Sequence, residues 1–497
     1  MVPRGRNFDV KTMITVGILR WLIDYQREEI QTIIEAGGSY ISTGEISYLS
    51  SQFLLYFYCV QKRHVTDLRA AIGSYVLHLD GTGEAGKEIV FMAKDGRSGI
   101  TVDARTMPSE SVDYIVPFLE GIKKEIGDLC AIVRDMSESI CMASKKVFSN
   151  VLQIICQYHF TRNLGDIVFS DYLKFRNLIV ETKALAAISK IRPIVNDTEI
   201  KMAESAWVRL AVEHILHPRE RRSKFPFELP YVDIFGRGIE MKELVGRIIS
   251  WNLSQNVYCE QLLELNNALK TLTGNADLYE GYRAFEKVWG WFESIRNALR
   301  VSREMNSGVP REPINAEVVR KDVVSALDKI TYEGWKLGGY LERKSQIFQK
   351  QINAHLDELV TPVADIDGNN IDVVRHNGVE EIGHRWSRMH IRRRTGRSQT
   401  SSEMAMYGPL LAIVSNIENP VYIEKMLYKI DFIGEISSIT RSELEGAEKL
   451  IRPYTTHYLV RNDDKRRTLL HELVEVMEKG TLYGHLKGWV SAIQVGA

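Results

Sequence analysis

The stretch from residue 73 to residue 160 constrains this chain more than any other. "GSYVLHLDGTGEAGKEIVFMAKDGRSGITVDA" alternates, is rich in β-branched and aromatic residues, and is broken by the turn formers "GTGEAGK" and "KDGRSG". It reads as three strands joined by hairpins. "SESVDYIVPFLEGIKKEIGD" then has the apolar spacing of an amphipathic helix, with Ser109 or Ser111 near its cap. "LCAIVRD" is an apolar run of buried-strand length, "SESICMASKKVFSN" another helix, and "LQIICQYHF" a fifth strand. The expected order is β-β-β-α-β-α-β. Such an order closes only as an α/β sheet with helices packed against it.

The flanking segments look different. Residues 8–68 read as helices: "QREEIQTIIEAGG" stops at Gly37-Gly38, and "STGEISYLSSQFLLYFYCVQKRH" begins with Ser42 and Thr43 as cap candidates. Two helices across a short turn are either a DNA-reading helix-turn-helix or a plain packed hairpin, and the pattern leaves both open. Strand signals nearly vanish over 170–360, where long helical segments are separated by "HPRERRSKFPFELPY", "TGNADLY" and "SGVPREPIN". No fixed-period repeat is visible. Turns ("ADIDGNN"), one more helix ("NGVEEIGHRWSRMHIRRRTGR") and a helical tail follow. The expected division is 1–70, a helical region and possible DNA reader; 71–168, the first part of the core; 169–368, a helical insertion; 369–415, the last part of the core; and 416–497, a helical end.

Bulk numbers exclude several classes. At 497 residues the chain is too long for one compact core. Its 44% hydrophobic and 26% charged content is ordinary for a globular protein. Lys+Arg and Asp+Glu both total 64, so any polyanion would be met by local basic patches, not by net charge. The five cysteines are scattered and contain no Cys-x-x-Cys pair, which argues against a disulfide framework and a four-Cys zinc ribbon. No apolar run approaches the ~18–20 residues needed to span a bilayer. No signal-peptide pattern is present, so a reducing, cytoplasmic setting is expected.

Two acids end expected strands: Asp80 closes "SYVLHLD" and Asp135 closes "CAIVRD". A carboxylate there is lifted to the rim of a sheet, where ligands bind. Two such carboxylates side by side repel each other unless a divalent cation lies between them, and hard oxygen donors suit Mg²⁺ or Mn²⁺. The plainer alternative for each acid is a helix cap or a turn. Glu380 and Glu381 precede a dense basic run, Arg385, Arg388, Arg392, Arg393, Arg394 and Arg397, with Trp386 interleaved. Acids for a metal beside arginines for phosphates suit a polyanionic substrate such as DNA. A solvated, salt-bridged helix is the competing reading.

Cys156 and His159 have the spacing of half a metal site, but no second Cys/His pair completes one.

"HLDGTGEAGKEIVFMAKDG", "IVRDMSESICMASKKVF", "ICQYHFTRNLG" and "HNGVEEIGHRWSRMHIRRRTGR" together resemble the DDE transposases of bacterial insertion sequences, in the broad Mutator-like group. The resemblance covers 73–165 and 370–420. It implies an α/β ribonuclease-H-like catalytic core, a mixed sheet in order 3-2-1-4-5, interrupted by a large all-α insertion before the last acid. The family pattern of Asp, Asp, Cys-x-x-His and Glu falls here on Asp80, Asp135, Cys156, His159 and Glu380, with Glu381 the alternative third acid. The resemblance implies a Mg²⁺ or Mn²⁺ cofactor held by Asp80, Asp135 and Glu380, with His159 near the scissile phosphate and Cys156 in a small buried position close by. It also implies hydrolysis at element ends to free a 3′-OH, strand transfer into target DNA, and at least a homodimer to hold two ends. Departures exist. The usual Thr-Asn-Asn before the glutamate reads Arg375-His376-Asn377 here, and no amino-terminal zinc module is seen. The rival readings are an inactive DNA-binding relative, a metal-dependent nuclease that cuts without joining, and a helical scaffold with the strands misread.

Overall fold

The structure, a computed structural model, describes residues 8–83, 88–191, 199–216, 225–254, 259–301, 315–365, 367–371, 373–375, 388–397 and 400–451. Among these, 8–156 and 362–451 form one compact unit, and 157–301 and 315–361 another.

The first unit opens with four helices: α1 (Val10–Trp21), α2 (Arg27–Ala36), α3 (Thr43–Arg63) and α4 (Val65–Ile72). Ser42 begins α3 through a capping box: its hydroxyl accepts from the Glu45 N–H while Glu45 reaches back to the Ser42 N–H at 2.9 Å. Every residue of α3 from Phe53 to Gln61 is buried. A helix enclosed on all sides has no face to lay in a DNA groove, so this part of α3 packs.

The sheet follows: β1 (Val76–Thr82), β2 (Ile89–Asp95), β3 (Thr101–Met107), α5 (Val112–Ile126), β4 (Ala131–Arg134), α6 (Glu138–Val147) and β5 (Leu152–Ile155). The order is β3-β2-β1-β4-β5, antiparallel across the first three strands and parallel across β1-β4-β5. This is the expected mixed sheet. One face buries Leu77, Leu79, Phe91 and Ile132 against Phe118, Leu119 and Ile122 of α5 and Ile140 and Ala143 of α6. "LQIICQYHF" is corrected in part, because pairing stops at Ile155 and a helix begins at Gln157.

The second unit is helical throughout its described residues: α7 (Gln157–Val168), α8 (Tyr172–Glu181), α9 (Ala184–Ile188), α10 (Glu199–Leu216), α11 (Pro230–Ser254), α12 (Glu260–Thr273), α13 (Ala276–Ala298), α14 (Ala316–Leu337) and α15 (Gly339–Val360). Aromatic rings fill its interior: Phe285 stands 5.2 Å from Phe175 and 6.4 Å from Phe169, which lies 5.4 Å from Phe292. The buried Lys344 ammonium of α15 donates to the Val168 carbonyl and to Asp171. "HPRERRSK" lies outside the described residues.

The chain then returns to the first unit with a small hairpin, β6 (Val363–Ala364) and β7 (Asn370–Ile371). Next come a helix whose described part is 388–395 (α16), then α17 (Ser401–Glu418), α18 (Pro420–Lys425), a 3₁₀ turn over Leu427–Lys429, α19 (Phe432–Ser438) and α20 (Arg441–Ile451). Helix α17 covers the other face of the sheet at β2 and β3, where Ala412 meets Val90, Met92 and Ala104. Gly408 allows this close approach, since any side chain there would overlap Val90. Asn416, fully buried, finishes the job at the edge of β3: its amide accepts from the Thr101 N–H at 2.7 Å and donates to the Thr101 carbonyl and to Gln61, each at 2.9 Å. These bonds satisfy an edge strand that would otherwise offer open pairing groups. Helices α1, α2, α3, α17, α19 and α20 share one hydrophobic core.

Candidate active-site edge of the sheet

Register brings the two aspartates to the end of one ladder. Parallel pairing matches Val76 with Ala131, Leu77 with Ile132 and His78 with Val133. The pairing stops there, two residues short of Asp80 on β1 and of Asp135 after β4. Within a strand, residues two apart share a face, so Asp80 shares a face with His78. Asp80 pairs with Met92, and Met92 with Ala104. Pairing of β4 with β5 ends at Arg134 and Ile155, and the Cys156 N–H donates to the Arg134 carbonyl at 2.7 Å. Asp80 and Asp135 are both half-buried.

Asp80 does not close its strand. β1 continues through Gly81 and Thr82 in its pairing with β2, while its pairing with β4 ends at His78. On the β4 side, then, Asp80 already stands past the ladder. Glu110, just before α5, places its carboxylate against the backbone of Gly81, in the space a side chain there would take.

Asp135 has a second task. Its Oδ1 accepts from the Ser137 N–H at 2.8 Å, and Ser137 caps α6. This turn holds the carboxylate at the positive end of that helix. The buried Arg134 guanidinium donates to the Asp135 carbonyl at 2.9 Å and so stiffens the same turn.

The remaining expected residues fall in several places. Cys156 is fully buried. His159 lies in the first turn of α7, in the second unit, with the Tyr158 ring edge-on at 5.7 Å. Glu380, Glu381, Arg385 and Trp386 lie outside the described residues. Arg388, the first described residue after them, donates from Nη2 to the Thr82 hydroxyl at 2.9 Å, two positions beyond Asp80. This ties α16 to the candidate edge. Arg392, Arg393 and Arg397 are exposed. Arg394 is buried: its guanidinium pairs with Asp24 at 2.8 Å and lies over the Trp21 ring at 4.5 Å. Burial pushes Arg394 down to about 10, against the pull of the Asp24 charge, so it stays a cation at neutral pH. Thr82, Asp24 and His390 were not singled out from sequence. A lone Thr, an Asp closing an apolar run and a His within a basic stretch carry no pattern of their own.

Asp80 and Asp135 fit a divalent cation by donor chemistry, since both supply hard oxygen ligands. Among the described residues, no group of three or more His, Cys, Asp or Glu is assembled to hold a metal ion. Also among the described residues, no helix is long and apolar enough to cross a membrane. No known protein-family model matches the chain, and no curated protein sequence matches it.

Proposed function

We propose that this protein is a DNA transposase with a ribonuclease-H-like catalytic core, cutting at the ends of a mobile element and joining the freed 3′-OH to target DNA. The observation that carries the reading is that Asp80 and Asp135 each lie two residues past the last paired positions of adjacent parallel strands, in a sheet of order 3-2-1-4-5. Arg388 at Thr82 adds support, because it brings one arginine of the basic run to β1, two positions beyond Asp80.

Each residue then has a part. Asp80 and Asp135 would hold Mg²⁺ or Mn²⁺, with Glu380 as the third donor. A bound ion supplies Lewis-acid polarisation of the phosphodiester and stabilises the charge that develops on its oxygens. The turn from Asp135 to Ser137 fixes one carboxylate before substrate arrives, so no reorganisation is needed during reaction. Arg392, Arg393 and Arg397, exposed on and just beyond α16, contact phosphates and set the DNA path without reading sequence. Neither step requires a covalent protein–DNA link, so no nucleophilic side chain is assigned. Two element ends held together call for at least a homodimer.

The test uses purified protein, Mg²⁺ or Mn²⁺ and a labelled duplex drawn from the DNA flanking its gene. Wild type is expected to cut and join. Partners that merely support a metal ligand already cost 10–100-fold when lost, so Asp80→Ala, Asp135→Ala and Glu380→Ala should each lower both steps by about 100-fold or more. Cutting without joining would mean a nuclease. Specific binding that is equal in all four proteins, with no cutting, would mean a DNA-binding relative without chemistry.

A further inference from the structure

Asp24 occupies the turn between α1 and α2, with φ 64° and its side chain 3% exposed. Two groups of α16, one helical turn apart, converge on its carboxylate: Arg394 Nη1 donates to one oxygen at 2.8 Å, and His390 Nδ1 meets the other. Trp21 floors the site beneath the Arg394 guanidinium. The Arg394 carbonyl accepts in turn from Arg20 Nη1 at 2.9 Å, and the same nitrogen donates to the Tyr25 carbonyl at 2.8 Å. Glu418 of α17 and Glu403 complete the charged surroundings. Burial pushes the Glu418 carboxyl up, with His390 opposing, and Glu403 acts on Arg394. Within the described part of α16, Arg388 bonds Thr82 of β1.

A buried ion pair is a poor choice for stability alone, because desolvation offsets most of its attraction and apolar packing does as well. Its distinctive property is register: both oxygens of the Asp24 carboxylate meet their partners in one arrangement only. We propose that Asp24 is a positioning residue, which fixes the rotation and axial setting of α16 so that Arg388 engages Thr82 of β1, two positions beyond Asp80. The amino-terminal helices thereby become part of the apparatus that assembles the site. This inference rests on the proposed role of Asp80.

The experiment is hydrogen–deuterium exchange of the full chain, wild type against Asp24→Asn, alongside cleavage kinetics. Asn matches Asp in shape and tolerates a left-handed backbone, so the change removes charge and little else. Exchange over 388–397 is expected to rise about tenfold or more, while 112–126 and 138–147 stay at wild-type rates. Turnover should fall with KM for the duplex unchanged. Arg394→Lys, which keeps the charge but loses the planar fork, should show the same local pattern more weakly. It decides the matter if Asp24→Asn does not fold. Unchanged exchange over 388–397, or an equal rise over α5 and α6, would overturn the positioning role. A wild type that cuts no DNA would overturn the transposase reading instead, and the exchange pattern would still decide whether Asp24 sets α16.

Discussion

Burial sets the chemistry of single side chains here more than their identity does. Three aspartates make the point. Asp80 and Asp135 are half-buried, whereas Asp24 is enclosed and committed to His390 and Arg394. Six arginines of one stretch read alike in sequence, yet Arg394 faces a tryptophan in the core while Arg392 and Arg393 face solvent. Cys59 gives a testable case. Desolvation pushes its thiol up to about 11, above the usual 9.0. Between these values the folded chain keeps a proton that the unfolded chain has lost. The contribution to stability is therefore full below about pH 9 and disappears as pH rises toward 11. The thiolate is the nucleophile, and two pKa units leave roughly 100-fold less of it. At pH 8.5, iodoacetamide with mass spectrometry should find Cys59 unmodified in native protein, half-exposed Cys141 alkylated, and both alkylated in urea.

At the scale of elements, local signals were strong wherever one period dominated. The capping box at Ser42 and Glu45, the double glycine after α2 and the alternation through β1, β2 and β3 were all legible, because each is satisfied by neighbours along the chain. Ser42→Ala should cost about 1 kcal/mol, read as a lower urea midpoint, since it strips an N-cap from the helix at the centre of the first unit's core. Residues 152–168 were harder. The apolar run 152–156 carries a strand signal, and Phe160, Leu164 and Val168 carry a helical one, with one residue between the two elements. A window spanning the junction cannot separate them, so His159 was assigned to a strand. The role of α3 was equally hidden. Its sequence fits a DNA reader or a packed hairpin, and enclosure of Phe53–Gln61 from every side is a fact of packing.

The whole molecule has 64 basic and 64 acidic residues, so attraction to DNA has to be local. Each phosphate neutralised on duplex DNA contributes about 0.9 to the slope of log K against log salt. Replacing Arg392, Arg393 and Arg397 together by alanine should therefore flatten that slope by nearly 3 in a binding titration, without changing sequence preference. An unchanged slope would place the DNA elsewhere. By itself, the sequence determined what repeats at short range: the periods that make helices and strands, the turns between them, the caps, the acid that follows β4 and, through its motifs, the expected sheet order. Only the tertiary structure decided what depends on register and enclosure. The parallel pairing of β1 with β4 joins His78 to Val133 across 55 residues of chain, Asp24 meets Arg394 across 370, and one arginine of a basic run is drawn inside while its neighbours remain in water. Short-range periodicity is written in adjacent residues. Burial and pairing arise only when distant segments compete for the same interior.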